Sequence, residues 1–353
     1  MPLDTLAAGR GWSYSHHVGR RGAAGMGFSG PVCVAPAKDG VLFVANRFQN
    51  PRISKVTVDQ EFIHEFGRQG EEEGEFMYLT AVALDKDENV YTSDEWLHRI
   101  TIFDFDGNVL KSWGESGEGE GQLNGPSGMV FDADENLWIV NSLNSRIQIF
   151  TKDGKYLSGF GVKGSGPGEL DMPWGLTADN DGNIYVADWN NHRVQKFAPD
   201  GTHLLTFGSG KPSGVSVDGG TPYSHATIRD IGVDPNDLNH PSGVAVDGDG
   251  DVYVADWMTE RIVIFDAEAM PLTALRGDAH EISKWAAMSL DANPDMRKRH
   301  RLAKFPETRQ YFRMPSDCAF DQSTNRLIVC DMQRGRLQIY EKDSAYADPQ
   351  TNL

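Results

Sequence analysis

Asp317, His240 and Arg313 are the residues of this chain best suited to chemistry. Around them the sequence offers Arg47 and a set of large aromatics, Tyr78, Trp96, Trp174, Trp189 and Trp257. A carboxylate in a narrow, poorly solvated passage needs a cation, a hydrogen-bond donor or a proton. An imidazole can take that proton or ligate a metal. A guanidinium can hold an anionic group, and indole rings can wall a pocket for an organic molecule. Each has a structural alternative: a satisfied buried hydrogen bond for Asp317, a packed ring before a proline for His240, and contact with neighbouring structure for the tryptophans. His225 and Tyr223 are further candidates of the same kind.

These positions are singled out by a repeat. Met172 to Gly208 reads as four short strands: Trp174 to Ala178, Ile184 to Ala187, Arg193 to Phe197 and His203 to Phe207. They are separated by turn clusters such as Asp179-Asn180-Asp181-Gly182-Asn183 and Pro199-Asp200-Gly201. Such a meander cannot cover its own faces, so copies must stack. Six copies open at Pro31, Leu79, Pro126, Pro173, Pro241 and Pro315. An Asp or Asn ends each second strand, with an Arg shortly after it, as in Asp188 and Arg193 or Asp331 and Arg336. A pair repeated in every copy reads as scaffold, tying a loop within its own unit. Function is sought where copies depart from the pattern. Two residues past the opening position the repeat prefers Gly, and Cys33, Ala81 and Asp317 are the exceptions.

The string Asn191-His192-Arg193-Val194-Gln195, set in Pro-x-Gly-x-x-x-Asp, Tyr-Val-Ala-Asp and Phe-Gly, resembles the NHL repeat, over about residues 12 to 343. The resemblance implies an all-β fold, a six-bladed β-propeller of four-stranded antiparallel blades, as a single domain over residues 1–353. The sixth copy stops at Asp343 without a fourth strand, while Trp12 to Gly27 reads like the end of a repeat. The N-terminal strand is therefore expected to complete the sixth blade and close the ring. Two insertions, at about 209–237 and 278–311, fall between the last strand of one blade and the first of the next, and are expected to cap one end of the channel. The second is expected to be partly helical, with Ile282, Trp285, Met288 and Ser289 on one face, a break at Pro294 and a basic cluster from Arg297 to Arg301.

The resemblance also excludes. Amidating-lyase-like propellers hold zinc through histidines directly after the opening proline, and here that position reads Val32, Thr80, Ser127, Trp174, Ser242 and Ser316. Of the acid and amide cage of lactonase-like propellers only Asp317, Asn124 and Asp171 could contribute. Gly159-x-Gly161-x-x-Gly164 opens no helix, so it reads as a turn and supports no nucleotide cofactor. Asp247-Gly248-Asp249-Gly250-Asp251 lacks the Glu that a calcium-binding helical hand requires and likewise reads as a turn.

Composition narrows the partners. Lys and Arg number 33 against 51 Asp and Glu, a net charge of −18, which opposes nucleic acid and anionic membrane surfaces. Three cysteines form no disulfide framework, and Cys318 and Cys330 read as small core residues. With no apolar leader or spanning segment evident, a cytoplasmic location is the expectation. The expected function is a small-molecule enzyme of lyase or hydrolase type at the channel mouth. Its substrate would be a small organic molecule, anionic ones included. A divalent metal is the candidate cofactor, with His240 and Asp317 as candidate ligands. The alternative is a non-catalytic scaffold that binds a peptide or protein partner on the same face.

Overall fold

The computed structural model describes residues 5–7, 9–212, 234–293, 295, 298, 299, 302 and 310–345. Among them the strands fall into six antiparallel sheets arranged as the blades of a propeller. In blade four the strands Pro173–Ala178, Ile184–Asp188, Arg193–Phe197 and His203–Phe207 follow one another from the channel outward. The inner strands neighbour one another around the ring, and that of blade six meets that of blade one.

Blade six closes the ring as expected. The N-terminal strand Arg10–Val18 pairs with Arg336–Asp343, from Gly11 opposite Asp343 to Val18 opposite Leu337. A short additional strand, Thr5–Ala7, lies beyond it at the outer edge, so this sheet has five strands.

The twofold alternation of strand side chains serves two interfaces in every blade. Ile184 and Val186 enter a core shared with Trp138, Val140 and Ile147 of blade three, while Tyr185 and Ala187 enter a core shared with Val244, Val252 and Val254 of blade five. Middle strands buried on both faces therefore read as continuous apolar runs. The turn at Asp179 is held by its carboxylate, where Oδ1 accepts from the backbone N–H of Asp181 at 3.1 Å and of Asn183 at 2.8 Å. Asp85 and Asp132 do the same in their blades.

The preference for Gly in the inner strands has a steric cause. A Cβ on Gly128 would lie 2.8 Å from the Trp174 carbonyl oxygen, and one on Gly175 only 2.5 Å from that of Ser242. Adjacent inner strands approach so closely here that a side chain is excluded.

The repeated arginines act differently from expectation. Ion pairs within the blade form at Asp188–Arg193 (2.9 Å), Asp256–Arg261 (2.9 Å) and Asp331–Arg336 (2.7 Å). Arg99, however, donates to the carbonyls of Glu71, Glu72 and Glu75, and Arg193 also reaches those of Ser165, Gly166 and Glu169. The arginine thus fastens the connection arriving from the preceding blade, and its service is between blades as much as within one. The Gly161 to Glu169 stretch is such a connection, closed by the bridge of Lys163 with Leu170.

The second insertion carries one helix, α1 (Lys284–Ala292), whose N-cap Ser283 accepts from the Ala286 N–H. Its buried face is narrower than expected: Trp285 is buried, whereas Met288 and Ile282 are about half exposed. Its position also corrects the expected cap over the channel. Trp285 packs on Phe28 and Phe62 and donates from Nε1 to the Gln60 carbonyl at 2.6 Å. Gln60 lies in the turn after Arg52–Thr57, at the end of the ring opposite the opening prolines, so α1 straps the outer side of the junction between blades six and one. Most of the first insertion, Tyr223 and His225 included, lies outside the described residues, as do Pro294, Arg297, His300 and Arg301. Among the described residues no helix is long and apolar enough to cross a membrane.

Candidate functional site

The opening prolines and the loops between second and third strands share one end of the ring. In each blade the second strand ends at an Asp or Asn, and the next one or two residues are pinned by backbone bonds to the segment just before the inner strand. Examples are Arg47 N–H to Gly30 O and Glu95 N–H to Tyr78 O, both at 3.0 Å. This register sets Arg47, Glu95, Ser142, Trp189, Trp257 and Met332 around the channel mouth.

A cavity of about 270 Å³ opens there, lined by Arg47, Tyr78, Trp174, Trp189 and Trp257. Five of the sequence-predicted residues therefore converge. Val32, Phe48, Ser242, Met314, Ser316, Met332 and Gln333 complete the lining. Trp189 stands between Trp174 and Trp257, with ring centroids 5.9 and 5.1 Å away. At the Trp174 end of this arc the Arg47 guanidinium lies 3.8 Å from the Tyr78 ring centre and 5.2 Å from that of Trp174, and pairs with Glu95 at 2.6 Å. Such stacking leaves the edge of the guanidinium available for hydrogen bonds.

The hydroxyls beside the opening positions stitch blades together. Thr80 donates to the Pro126 carbonyl at 2.9 Å, Ser127 to that of Trp174 at 2.7 Å, Ser242 to that of Pro315 at 3.2 Å and Ser316 to that of Pro31 at 2.9 Å. Val32 and Trp174 are the members of this ring without a hydroxyl, and both line the cavity.

The remaining candidates stand elsewhere. Trp96 is 67% exposed and absent from the lining, because Glu95 holds the loop position that Trp189 and Trp257 hold in their blades. His240 sits behind Trp189, 5.0 Å between ring centroids, with Nδ1 2.8 Å from Asn239 Oδ1 and its backbone N–H donating to His192 Nδ1. Burial, and then the neighbouring His192, holds its pKa below the ordinary imidazole value. Its backbone is left-handed, φ 56°, as are those of Met172 (47°) and Met314 (52°) at the same repeat position. Gly30 (67°) and Gly125 (62°) are left-handed at the same position, so this conformation belongs to the repeat. Arg313 is set back behind Gln333, donating from Nε to Gln333 Oε1 at 2.7 Å. Gln333 has no counterpart among the sequence-predicted residues; its place directly after Met332 in the loop was the signal for it.

Asp317 lies deeper, in the channel itself, where the surrounding inner strands are mostly apolar. Its Oδ2 accepts from the Val34 N–H at 3.3 Å, and it is also hydrogen-bonded to Cys33 and the Cys318 N–H. Burial raises its pKa to about 7 against the pull of these donors. Asp317 and His240 have separate partners, so the expected acid–base or metal-binding pairing of the two is not formed. Among the described residues no three His, Cys, Asp or Glu side chains are grouped so as to hold a metal. The cavity offers a guanidinium and an amide as donors, and among the described residues no carboxylate, imidazole or thiol lines it.

The family model for the NHL repeat matches residues 170–197 and 238–265, in blades four and five. No curated protein matches the sequence. Solved structures share the fold at low identity. A Bacteroides thetaiotaomicron protein of unknown function is 17% identical with TM-score 0.61, over 95% of this chain and 76% of that one. A catalytically inactive virginiamycin B lyase from Staphylococcus aureus, determined with quinupristin, is 12% identical with TM-score 0.52, over 94% and 88%. Kuenenia stuttgartiensis hydrazine synthase is 13% identical with TM-score 0.52, over 88% and 95%. The chain is a six-bladed β-propeller that carries NHL repeats.

Proposed function

We propose that this protein is a small-molecule enzyme of lyase or hydrolase type whose substrate binds at the channel mouth. The observation that carries this reading is the convergence of Arg47, Tyr78, Trp174, Trp189 and Trp257, from four blades, on one cavity. The ring brings these positions together in any such fold; its stability does not require them to be aromatic and cationic, since it is held by the hydroxyl stitches and the arginine caps. A solved structure that shares the fold is, by its name, a lyase acting on a small molecule, which supports the reading. In this reading Arg47 orients the polar end of the substrate and stabilises negative charge that develops on it. His240, its pKa lowered by burial, is the proton acceptor and reaches the substrate from behind Trp189 through one water. Asp317 and Arg313 act from outside the cavity as positioning residues.

Thermal-shift screening of the full chain against small organic acids, followed by mass spectrometry of incubations with each hit, tests the reading. Stabilisation lost in Trp189→Leu, together with product formation by the native chain, is the expected result. A broad screen without stabilisation or product would overturn it.

A second reading has its own observation. Phe48, Tyr78, Trp96, Leu143 and Met258 are exposed apolar side chains around the mouth. A rim of this kind suits a peptide or protein partner. It predicts that Trp96→Ser abolishes capture of a partner while leaving small-acid binding intact.

A further inference from the structure

Resting on the reading of the mouth as a small-molecule site, we infer that its ligand is an aryl or heteroaryl carboxylate: a flat ring held against the tryptophan arc, with its carboxylate on Arg47. The walls select the ring. Trp174, Trp189 and Trp257 form a continuous arc of indoles, and a cavity of about 270 Å³ admits one small ring system. It lies near the lower end, about 300 Å³, of pockets that take drug-sized ligands.

The polar groups select the acceptor. The hydroxyl protons of Ser242 and Ser316 are already given to the carbonyls of Pro315 and Pro31. Gln333 takes the Arg313 Nε–H on its Oε1, which fixes the amide orientation and leaves its N–H groups to offer. Arg47 gives Nη2 to Glu95 and can only donate with the rest of its guanidinium. A site whose cation and amide both offer donors is complementary to a carboxylate, and discriminates against an amine through the positive charge of Arg47. Glu95 sits on the same guanidinium as a resident competitor, so the ligand carboxylate shares Arg47 with it.

Isothermal titration of the full chain with indole-3-acetate, indole-3-acetamide and tryptamine tests this directly, with the thermal shift of the chain as a second readout. The carboxylate is expected to bind about tenfold more tightly than the amide, one charge-assisted hydrogen bond's worth, with the amine weakest. Arg47→Met should bring the carboxylate down to the amide. Glu95→Gln should tighten the carboxylate several-fold and leave the amide unchanged, a gain that misfolding cannot produce. If the amide or the amine binds as tightly as the carboxylate, or Glu95→Gln weakens the carboxylate, the inference falls while the mouth remains a small-molecule site. If none of the three binds at millimolar concentration, the aryl class is wrong, and the small-acid screen decides the broader reading separately.

Discussion

Lys342 places its ammonium 2.8 Å from Asp251, and the same nitrogen reaches Asp247 at 2.5 Å and Asp249 at 2.8 Å. The Asp247 to Asp251 turn, calcium-like in sequence, is thus filled by a lysine from the last strand of blade six. Arg10 of the N-terminal strand joins it at 3.2 Å from Asp251. Blade five is thereby clamped to both strands that close the ring. Burial alone would lower the Lys342 pKa, but its three carboxylate partners outweigh that and raise it.

Lys342→Met would leave buried Asp247 without its cation and Asp251 with Arg10 alone. A stability loss of about 3 kcal/mol is expected, since removing one partner of a buried ionic group strands the others. Chemical denaturation at pH 7 measures it, and an unchanged midpoint would show the clamp to be dispensable.

Closure gives a second expectation. Deleting residues 1–20 removes the strand Arg10–Val18 and exposes the edge of Arg336–Asp343, a template for pairing with other chains. Aggregation or a sharply lowered melting temperature should follow, read by light scattering during a thermal ramp. A soluble deletion with native melting would contradict closure by this strand.

Asp317 makes stability depend on pH. Its pKa is raised to about 7 in the folded chain, chiefly by burial, and returns to about 4 on unfolding. The folded state therefore holds the proton more tightly. Its contribution is fully present below about pH 4 and is lost as pH rises to about 7. Relative to the native chain, Asp317→Asn should gain melting temperature across that interval and hold the gain above it. A difference independent of pH would show that the Asp317 carboxyl does not titrate in this way.

If His240 is the proton acceptor of the proposed enzyme, it sets the pH dependence of turnover. Because its pKa is lowered, the imidazole stays neutral below the ordinary midpoint of about 6.5. A proton-accepting role predicts that the acid limb of the rate profile lies below that value and vanishes in His240→Ala, with substrate KM little changed. An acid limb that persists in the variant would assign it to another group.

The blade pattern, the number of copies and the place where the N-terminal strand must go were determined by local chemistry. Turn carboxylates at Asp179 and twofold alternation in Ile184–Asp188 act over a few residues, so they can be read one after another along the chain. The convergence of Arg47, Tyr78, Trp174, Trp189 and Trp257 was partly legible too, because equal repeat positions must meet at one end of a ring. What the tertiary structure alone decided was contact across blades. It gave Asp317 and His240 separate partners, turned Trp96 outward because Glu95 took the inner place, and gave the calcium-like turn to Lys342, 91 residues beyond Asp251 in the chain. It also sent α1 down the outer wall, since Trp285 found its partners in Phe28, Phe62 and the Gln60 carbonyl. Spacing within a repeat fixes height and face; only packing between repeats fixes which side chains meet.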